Sequence, residues 1–242
     1  MEPKTYTKTD NDLSIEYANY NPEFIVQGLI KKNGINIFAA ERGAGKTRFM
    51  LWLGYSIIYE CPEVLGYKTK TFGNILFANL EISEKEFKSF FEPIKNYFEK
   101  ILNLKPKHQL YIMSFKNGST TISDLLKEVK MYKPILTIID NYKLFQYQLL
   151  QENNHLREIT NSNFGIAFKP LKELIELCDT TIMLINHTNK GTRYSPSSAD
   201  LMFGPGALAD FSDQISLLRK TSIDTQKLIV PDKCRYSAEG LI

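Results

Sequence analysis

Cysteine is scarce in this chain, which has three in 242 residues, at positions 61, 178 and 234. So few, at such wide spacing and odd in number, suggest neither a disulfide framework nor a zinc site. Long apolar runs are missing too, because the longest, Phe49 to Ile58, is too short to span a bilayer. The first ten residues have no apolar core, so we expect no signal peptide. We therefore expect a soluble protein of the reducing cytoplasm, without membrane contact.

A strong excess of charge is also absent. The net charge is +3 and the isoelectric point is about 8.5, which neither requires nor excludes a nucleic-acid partner. Hydrophobic residues make up 43% of the chain, enough for one large domain. We divide the chain into a polar N-terminal arm, residues 1–20, and one domain over residues 21–242.

Apolar runs of strand length alternate with helical patterns along this domain. Strands are predicted at 35–40, 74–80, 109–115, 134–140, 180–186, 215–218 and 228–230, and helices at 48–60, 83–102, 121–132 and 166–177. Pro93 kinks or divides the second helix, and residues 141–163 and 188–206 are predicted to be irregular. The alternation predicts an α/β fold with a mostly parallel central sheet flanked by helices.

A phosphate-binding loop is the clearest motif. The apolar run Ile35 to Ala40 leads into Gly43-Ala44-Gly45-Lys46-Thr47, and a helical pattern follows. Glycines allow backbone N–H groups to surround a phosphate, Lys46 can neutralise its charge, and Thr47 can offer a hydroxyl to Mg²⁺. Ala40 replaces the first glycine of the usual pattern, which an ordinary φ would tolerate. We predict that residues 41–48 bind the nucleotide: Glu41, Arg42, Gly43, Ala44, Gly45, Lys46, Thr47 and Arg48. The alternative is a turn that contains the same residues, Gly-x-Gly-Lys-Thr, by chance.

Three polar residues follow apolar strands and should meet at the edge of the sheet where this loop lies. Asp140 is a candidate Mg²⁺ ligand, acting directly or through water, although an acid at a strand end can also cap the next turn. Glu81 is a candidate for activating the attacking water, or else an ordinary exposed glutamate. His187 can sense the terminal phosphate, although a histidine in this position is as often structural.

A basic pair near the end of the chain, Lys233 and Arg235, could supply positive charge to phosphoryl transfer. Arg235 could reach the nucleotide of a neighbouring subunit as an arginine finger. A solvated basic turn is an equal alternative.

The order of these segments over roughly residues 22–240 resembles the RecA-like P-loop ATPases, and among them the hexameric replicative helicases of the plasmid RepA type, also described as AAA-type ATPases. Besides the P-loop, the resemblance is carried by the segments 24–30, 74–81, 138–140, 161–163, 185–191, 204–210 and 233–235. It implies that Glu81 is the catalytic glutamate, Asp140 the Walker B aspartate and His187 part of a sensor. It also implies ATP and Mg²⁺ as cofactors, and a homo-oligomeric ring of hexamer type.

In such a ring, Lys233 and Arg235 would cross the subunit interface. Single-stranded DNA would contact segments near 142–163 and 190–206, where Lys190, Arg193 and Tyr194 offer charge and a ring for stacking. The first functional hypothesis is therefore a DNA helicase or translocase for plasmid, phage or mobile-element replication. A recombination or repair ATPase of the same fold, and a regulatory ATP-binding switch without nucleic acid, are the alternatives.

Overall fold

The computed structural model describes residues 9–10, 22–114, 121–152, 157–188, 202, 206–221, 223 and 226–234. Its strands in chain order are β1 (Phe24–Val26), β2 (Ile30–Lys31), β3 (Ile35–Ala40), β4 (Glu63–Val64), β5 (Tyr67–Lys68), β6 (Ile75–Asn79), β7 (Leu110–Ser114), β8 (Leu136–Asp140), β9 (Thr181–His187), β10 (Gln214–Lys220) and β11 (Lys227–Cys234). The helices are α1 (Lys46–Ile58), α2 (Glu84–Asn96), α3 (Ile122–Tyr132), α4 (Tyr142–Glu152), α5 (Phe164–Ala167), α6 (Lys169–Cys178) and α7 (Ala207–Phe211), and a π-helical turn, Tyr97–Ile101, follows α2.

A seven-stranded sheet in the order β11-β10-β3-β9-β8-β6-β7 forms the centre of the described structure. Every neighbouring pair from β10 to β7 is parallel, and β11 pairs with β10 in the antiparallel direction at one edge. Two short hairpins, β1 with β2 and β4 with β5, lie outside this sheet. The predicted α/β class with a mostly parallel sheet is confirmed.

Helices cover both faces of the sheet, and the alternation of side chains along each strand explains how. In β3, Phe38 and Ala40 belong to the apolar core that contains residues of α1 and α2. Ile35, Ile37 and Ala39 belong to the core on the other face, with residues of α3, α4, α5 and α6. Apart from the buried Asn36, β3 is apolar on both faces, and it therefore reads as a nearly continuous hydrophobic run in the sequence.

Local capping explains where two helices begin. Ser83 accepts a hydrogen bond from the N–H of Glu86, whose side chain bonds back to the N–H of Ser83, in a capping box. Thr121 and Asp124 form the same arrangement before α3. Both helix starts agree with the predicted ones.

The predicted continuous helix at 166–177 is instead divided at Phe168 into α5 and α6. Helix α6 begins there with Pro170 in its first turn, where a missing N–H costs little.

The prediction that residues 141–163 are irregular is wrong for the first half of that segment. Helix α4 occupies Tyr142–Glu152, and Tyr142, Phe145 and Leu149 are buried in the core that contains α6. These residues recur at intervals of three and four, which is helical spacing. Glutamines and lysine between them lower the mean hydropathy and hide the pattern from a reading by composition.

Several expectations concern regions that the structure describes only in part. Apart from Thr9 and Asp10, the predicted arm at residues 1–20 lies outside the described residues. The same holds for the predicted loop at 188–206 except for Thr188, Met202 and Gly206. None of the helices in the described residues is long and apolar enough to cross a membrane.

Candidate nucleotide-binding site

The loop over residues 41–45 joins the carboxyl end of β3 to the amino end of α1. Gly43 and Gly45 have φ angles of 73° and 92°, a left-handed conformation that residues with a β-carbon rarely adopt. Gly45 is the N-cap residue of α1, and none of the described side chains caps the helix there. The first N–H groups of α1 are therefore available to an anion, which the helix dipole also favours.

Ala40 stands where the P-loop pattern normally begins with glycine. It is the last residue of β3, and its φ is not among the positive values found in the described residues. A β-carbon is therefore tolerated at this position.

The side chain of Lys46 folds back along the loop. Its ammonium donates to the carbonyl oxygens of Ala40, at 2.9 Å, and Glu41, at 3.0 Å. It also lies 3.1 Å from Nδ1 of His187. Burial lowers the pKa of Lys46, and the neighbouring carboxylates, Asp140 first among them, oppose that shift. The cation thus has neutral hydrogen-bond partners, and a bound phosphate would give it an anionic one.

Thr47 and Asp140 contact each other through their side chains. The Thr47 hydroxyl donates to Oδ2 of Asp140 at 2.5 Å, across 93 residues of sequence. Asp140 is 3% exposed, and burial raises the pKa of its carboxyl to about 6, against the effect of the hydrogen bond from Thr47. Hydroxyl and carboxylate oxygens are ligands that suit Mg²⁺, usually together with phosphate oxygens and water. The oxygens of this pair therefore fit such an ion.

The side chain of Asn141 lies between those of Glu81 and His187. The side-chain amide of Asn141 donates to Oε2 of Glu81 at 2.7 Å and lies 3.4 Å from Nε2 of His187. The same imidazole nitrogen is 3.9 Å from Oε2 of Glu81. Burial lowers the pKa of His187, and the Lys46 ammonium adds to this effect. Both effects on the pKa favour the neutral imidazole.

Sheet register explains why these residues from distant segments lie together. Asn79 pairs with Asp140 across β6 and β8, and Ala40 pairs with His187 across β3 and β9. The three parallel strands before Glu81, Asp140 and His187 thus end level with the strand that enters the P-loop. The predicted juxtaposition rests on this shared edge.

A cavity of about 970 Å³ opens over the loop. Its polar side chains include Arg42, Lys46, Thr47, Arg48, Glu81, Asp140, His187 and Lys227. Apolar side chains line the remaining wall, including Phe49, Trp52, Leu65, Phe90, Ile94, Leu218 and Ile229. Arg48 lies over the ring of Phe90, 4.9 Å from its centroid. The cavity therefore combines a charged region beside the loop with an apolar region that suits a planar ring system.

Other predicted residues lie elsewhere or contribute differently. Glu41 and Ala44 do not line the cavity, but the N–H of Ala44 donates to the carbonyl of Glu41 at 3.2 Å and shapes the loop. Lys233 donates to the carbonyl oxygens of Ala209 and Asp210 of its own chain. Arg235 lies outside the described residues.

Two residues at this site were missed in the sequence. Asn141 directly follows Asp140 at the same strand end, and that position was a usable signal. Lys227 begins β11, and its ammonium donates to the carbonyl oxygen of Ala44 in the loop. Only strand pairing could have identified Lys227, because β11 returns beside β10, in which Leu218 pairs with Ala40.

Comparisons with known proteins agree with this arrangement. A family model described as "AAA domain" matches residues 7–193. A solved structure whose title describes an ATPase domain superposes with a TM-score of 0.60 at 12% sequence identity, over 92% of this chain and 88% of that chain. No curated protein matches the chain. Since the family model covers most of the sequence and the sheet, loop and strand ends have the same organisation as a P-loop ATPase, the chain belongs to the AAA domain family and has a RecA-like ATPase fold.

Proposed function

We propose that the chain is a Mg²⁺-dependent ATPase of the ring-forming helicase type, which moves along single-stranded DNA in the replication of a plasmid, phage or mobile element. One observation carries the enzymatic part of this proposal. The P-loop residues Lys46 and Thr47 share one cavity with Glu81, Asp140 and His187. A cation, two carboxylates and an imidazole around a phosphate-binding loop are the groups that phosphoryl transfer to water requires.

Each of these side chains has a role in the proposed reaction. Lys46 would leave its carbonyl partners to bind the β- and γ-phosphates, while the loop and the amino end of α1 hold their other oxygens. Thr47 and Asp140 would hold Mg²⁺, which neutralises charge on the phosphates. Glu81 would orient the attacking water and accept its proton, and His187 would report the presence of the γ-phosphate to Glu81.

The nucleotide would lie between subunits of a homo-oligomeric ring, for which the RepA-type resemblance suggests a hexamer. The described cations at the cavity, Arg42, Lys46, Arg48 and Lys227, all belong to the chain that holds the P-loop. Arg235 of the next subunit would supply the finger, and Lys233, bonded to Ala209 and Asp210, would fix the strand that presents it. This division makes hydrolysis dependent on assembly.

Contact with DNA is proposed for the segments that the resemblance assigns to it. Helix α4 begins one residue after the asparagine of the site, and its Tyr147 is 52% exposed. An exposed aromatic ring is a platform on which a base of a single strand can stack. Lys190, Arg193 and Tyr194 of the second segment lie outside the described residues.

The test measures ATP hydrolysis with and without single-stranded DNA for wild type, Lys46→Ala and Glu81→Gln. We expect DNA-stimulated hydrolysis by wild type and a loss of at least about 100-fold in both variants. Lys95→Ala and Glu92→Gln, at exposed residues of α2 that do not line the cavity, are the matched controls and should hydrolyse normally.

Absence of hydrolysis by wild type under both conditions would overturn the proposal. Hydrolysis without any response to DNA would favour the regulatory switch. DNA-stimulated hydrolysis without strand unwinding would favour the recombination or repair class. Full activity of Glu81→Gln would remove the role of Glu81.

A further inference from the structure

Asn141 lies at the junction between β8 and α4, and both the nitrogen and the oxygen of its side-chain amide make hydrogen bonds. The residue is 4% exposed. Its Nδ2 donates to Oε2 of Glu81 at 2.7 Å, and its Oδ1 accepts the N–H of Leu144 at 3.2 Å. The second contact is that of an N-cap residue with the third residue of a helix. One side chain therefore joins a carboxylate of the proposed site to the first turn of α4.

The partners of this amide fix its orientation. A carboxylate oxygen only accepts and a backbone N–H only donates. Rotating the amide by 180° would place Oδ1 against Glu81 and Nδ2 against the N–H of Leu144, and both contacts would become repulsive. The observed orientation is thus the one that satisfies both neighbours.

His187 extends this chain of contacts to the P-loop. Because the ammonium of Lys46 only donates, the neutral imidazole accepts at Nδ1, 3.1 Å away, and carries its proton on Nε2. Nε2 faces Nδ2 of Asn141 at 3.4 Å and Oε2 of Glu81 at 3.9 Å. In this tautomer only the amide of Asn141 donates a hydrogen bond to Glu81, and the Nε2–H of His187 lies beside the same carboxylate beyond hydrogen-bond distance.

We propose that Asn141 is a positioning residue that holds the carboxylate of Glu81 and couples it to the start of α4; this rests on the proposed ATPase function. The amide occupies Oε2, and none of the described residues donates a hydrogen bond to Oε1. Oε1 is the oxygen left to accept a proton from water. A shift of the first turn of α4, as on binding a nucleic acid, would move Asn141 and with it Glu81.

The experiment uses Asn141→Ser and Asn141→Asp. Both replacements keep an oxygen that caps α4 well, and both lose the amide donor to Glu81. Losing a hydrogen bond to a charged group at the reacting centre should lower kcat roughly 10- to 100-fold. The KM for ATP should stay within about twofold, because Asn141 is not part of the cavity wall. In Asn141→Ser, the ratio of DNA-stimulated to basal hydrolysis should also fall toward one.

Asn141→Asp gives a readout that a purely structural role would not change. The new carboxylate would face Glu81 and raise the pH at which Glu81 ionises, since two close carboxylates resist a second negative charge. A general base must be ionised to act, so the acidic limb of the rate profile should shift to higher pH in this variant. Asn141→Ser should show no such shift.

Asn74→Ser and Asn74→Asp, at the opposite end of β6 from Glu81, are the matched controls. Asn74 also accepts a backbone N–H, from Gln109 at 3.0 Å, and its amide donates to a backbone carbonyl, that of Tyr132 at 3.3 Å, instead of a carboxylate. These variants should keep the wild-type kcat, pH profile and response to DNA. Binding of a fluorescent ATP analogue verifies that each cavity is folded.

The outcomes separate this inference from the proposed function. Inactive wild type overturns both. Active wild type, inactive Glu81→Gln and a kcat within about twofold of wild type for Asn141→Ser overturn only the role of Asn141. If both Asn141 variants lose hydrolysis and also lose binding of the ATP analogue, the role of Asn141 is overturned as well, because the residue would then be needed for the fold of the cavity.

Discussion

Replacement of Asp140 by Asn removes a buried negative charge and keeps the shape of the side chain. The Asn side-chain oxygen can still accept the hydrogen bond that Thr47 donates to Asp140. Hydrolysis should be lost, since an amide is a poor Mg²⁺ ligand compared with a carboxylate. At the same time, the variant without nucleotide or metal should be more stable than wild type at neutral and basic pH.

The magnitude follows from the pKa of the carboxyl group. Its ordinary value is 3.8, and burial raises it to about 6 in the folded protein. The folded state therefore binds this proton more tightly than the unfolded chain, and stability falls as the pH rises from about 4 to about 6. With about 1.4 kcal/mol per pH unit, the ionised carboxylate costs the folded state about 3 kcal/mol above that range.

Urea denaturation in EDTA, without nucleotide, measures this difference. At pH 8 Asp140→Asn should have a free energy of unfolding about 3 kcal/mol above that of wild type, with an unchanged m-value. The advantage should disappear as the pH falls below 4, where the wild-type carboxyl is protonated in both states. Equal or lower stability of the variant at pH 8, or the same gain at both pH values, would refute the reasoning.

An opposite effect at an exposed carboxylate provides the control. The pKa of Asp124 is lowered to about 2, first by its hydrogen bond with Lys127 and then by those with Thr121. For this group the stabilising effect is present above its ordinary pKa and is lost as the pH falls toward 2. Asp124→Asn should therefore be less stable than wild type at pH 8, which excludes a general benefit of removing acidic charge.

Three further changes test other parts of the structure. Lys227→Met removes the cation that binds the Ala44 carbonyl and should raise the KM for ATP several-fold with little change in kcat, whereas steady-state kinetics of the exposed Lys68→Met should match wild type. Gly45→Ala forces a φ of 92° on a residue with a β-carbon and places that carbon 2.9 Å from the Lys227 ammonium, so calorimetry should show weaker ATP binding and a stability loss of about 1–2 kcal/mol. Phe168→Ala removes a fully buried ring stacked 4.0 Å from that of Phe164 and should cost about 3–5 kcal/mol in urea denaturation, while Leu177→Ala, at a residue 73% exposed, should cost little.

Much of the sheet could be predicted because its strands are buried on both faces. The runs that became β6, β8 and β9 are almost continuously apolar, and each is followed by a polar residue of the site. Their parallel direction fixes the edge at which Glu81, Asp140 and His187 meet, so their proximity follows from topology alone. Their chemical roles stay predictions.

The parts that escaped prediction depend on pairing and on partial burial. In helix α4 the buried residues Tyr142, Phe145 and Leu149 alternate with glutamines, a lysine and partly exposed leucines, and without the position of its neighbours this pattern resembles a polar loop. Lys227 reaches the P-loop through the register of the β10–β11 hairpin, which no local pattern in the sequence encodes. The position of Asn141 after Asp140 was visible in the sequence, but its contacts were not, because they are two hydrogen bonds made in opposite directions to Glu81 and to the N–H of Leu144.

The pairing of β3 sets an order of events during synthesis of the chain. This strand and the P-loop leave the ribosome early, but β3 pairs on one side with β9 and on the other with β10, whose residues follow it by 147 and 178 positions. Pairings so distant in sequence form late and slowly, because a long loop must close first. The ATP site therefore cannot be completed on a nascent chain before Ile229, which lines the cavity, is available, and nucleotide binding can assist only the last stage of folding.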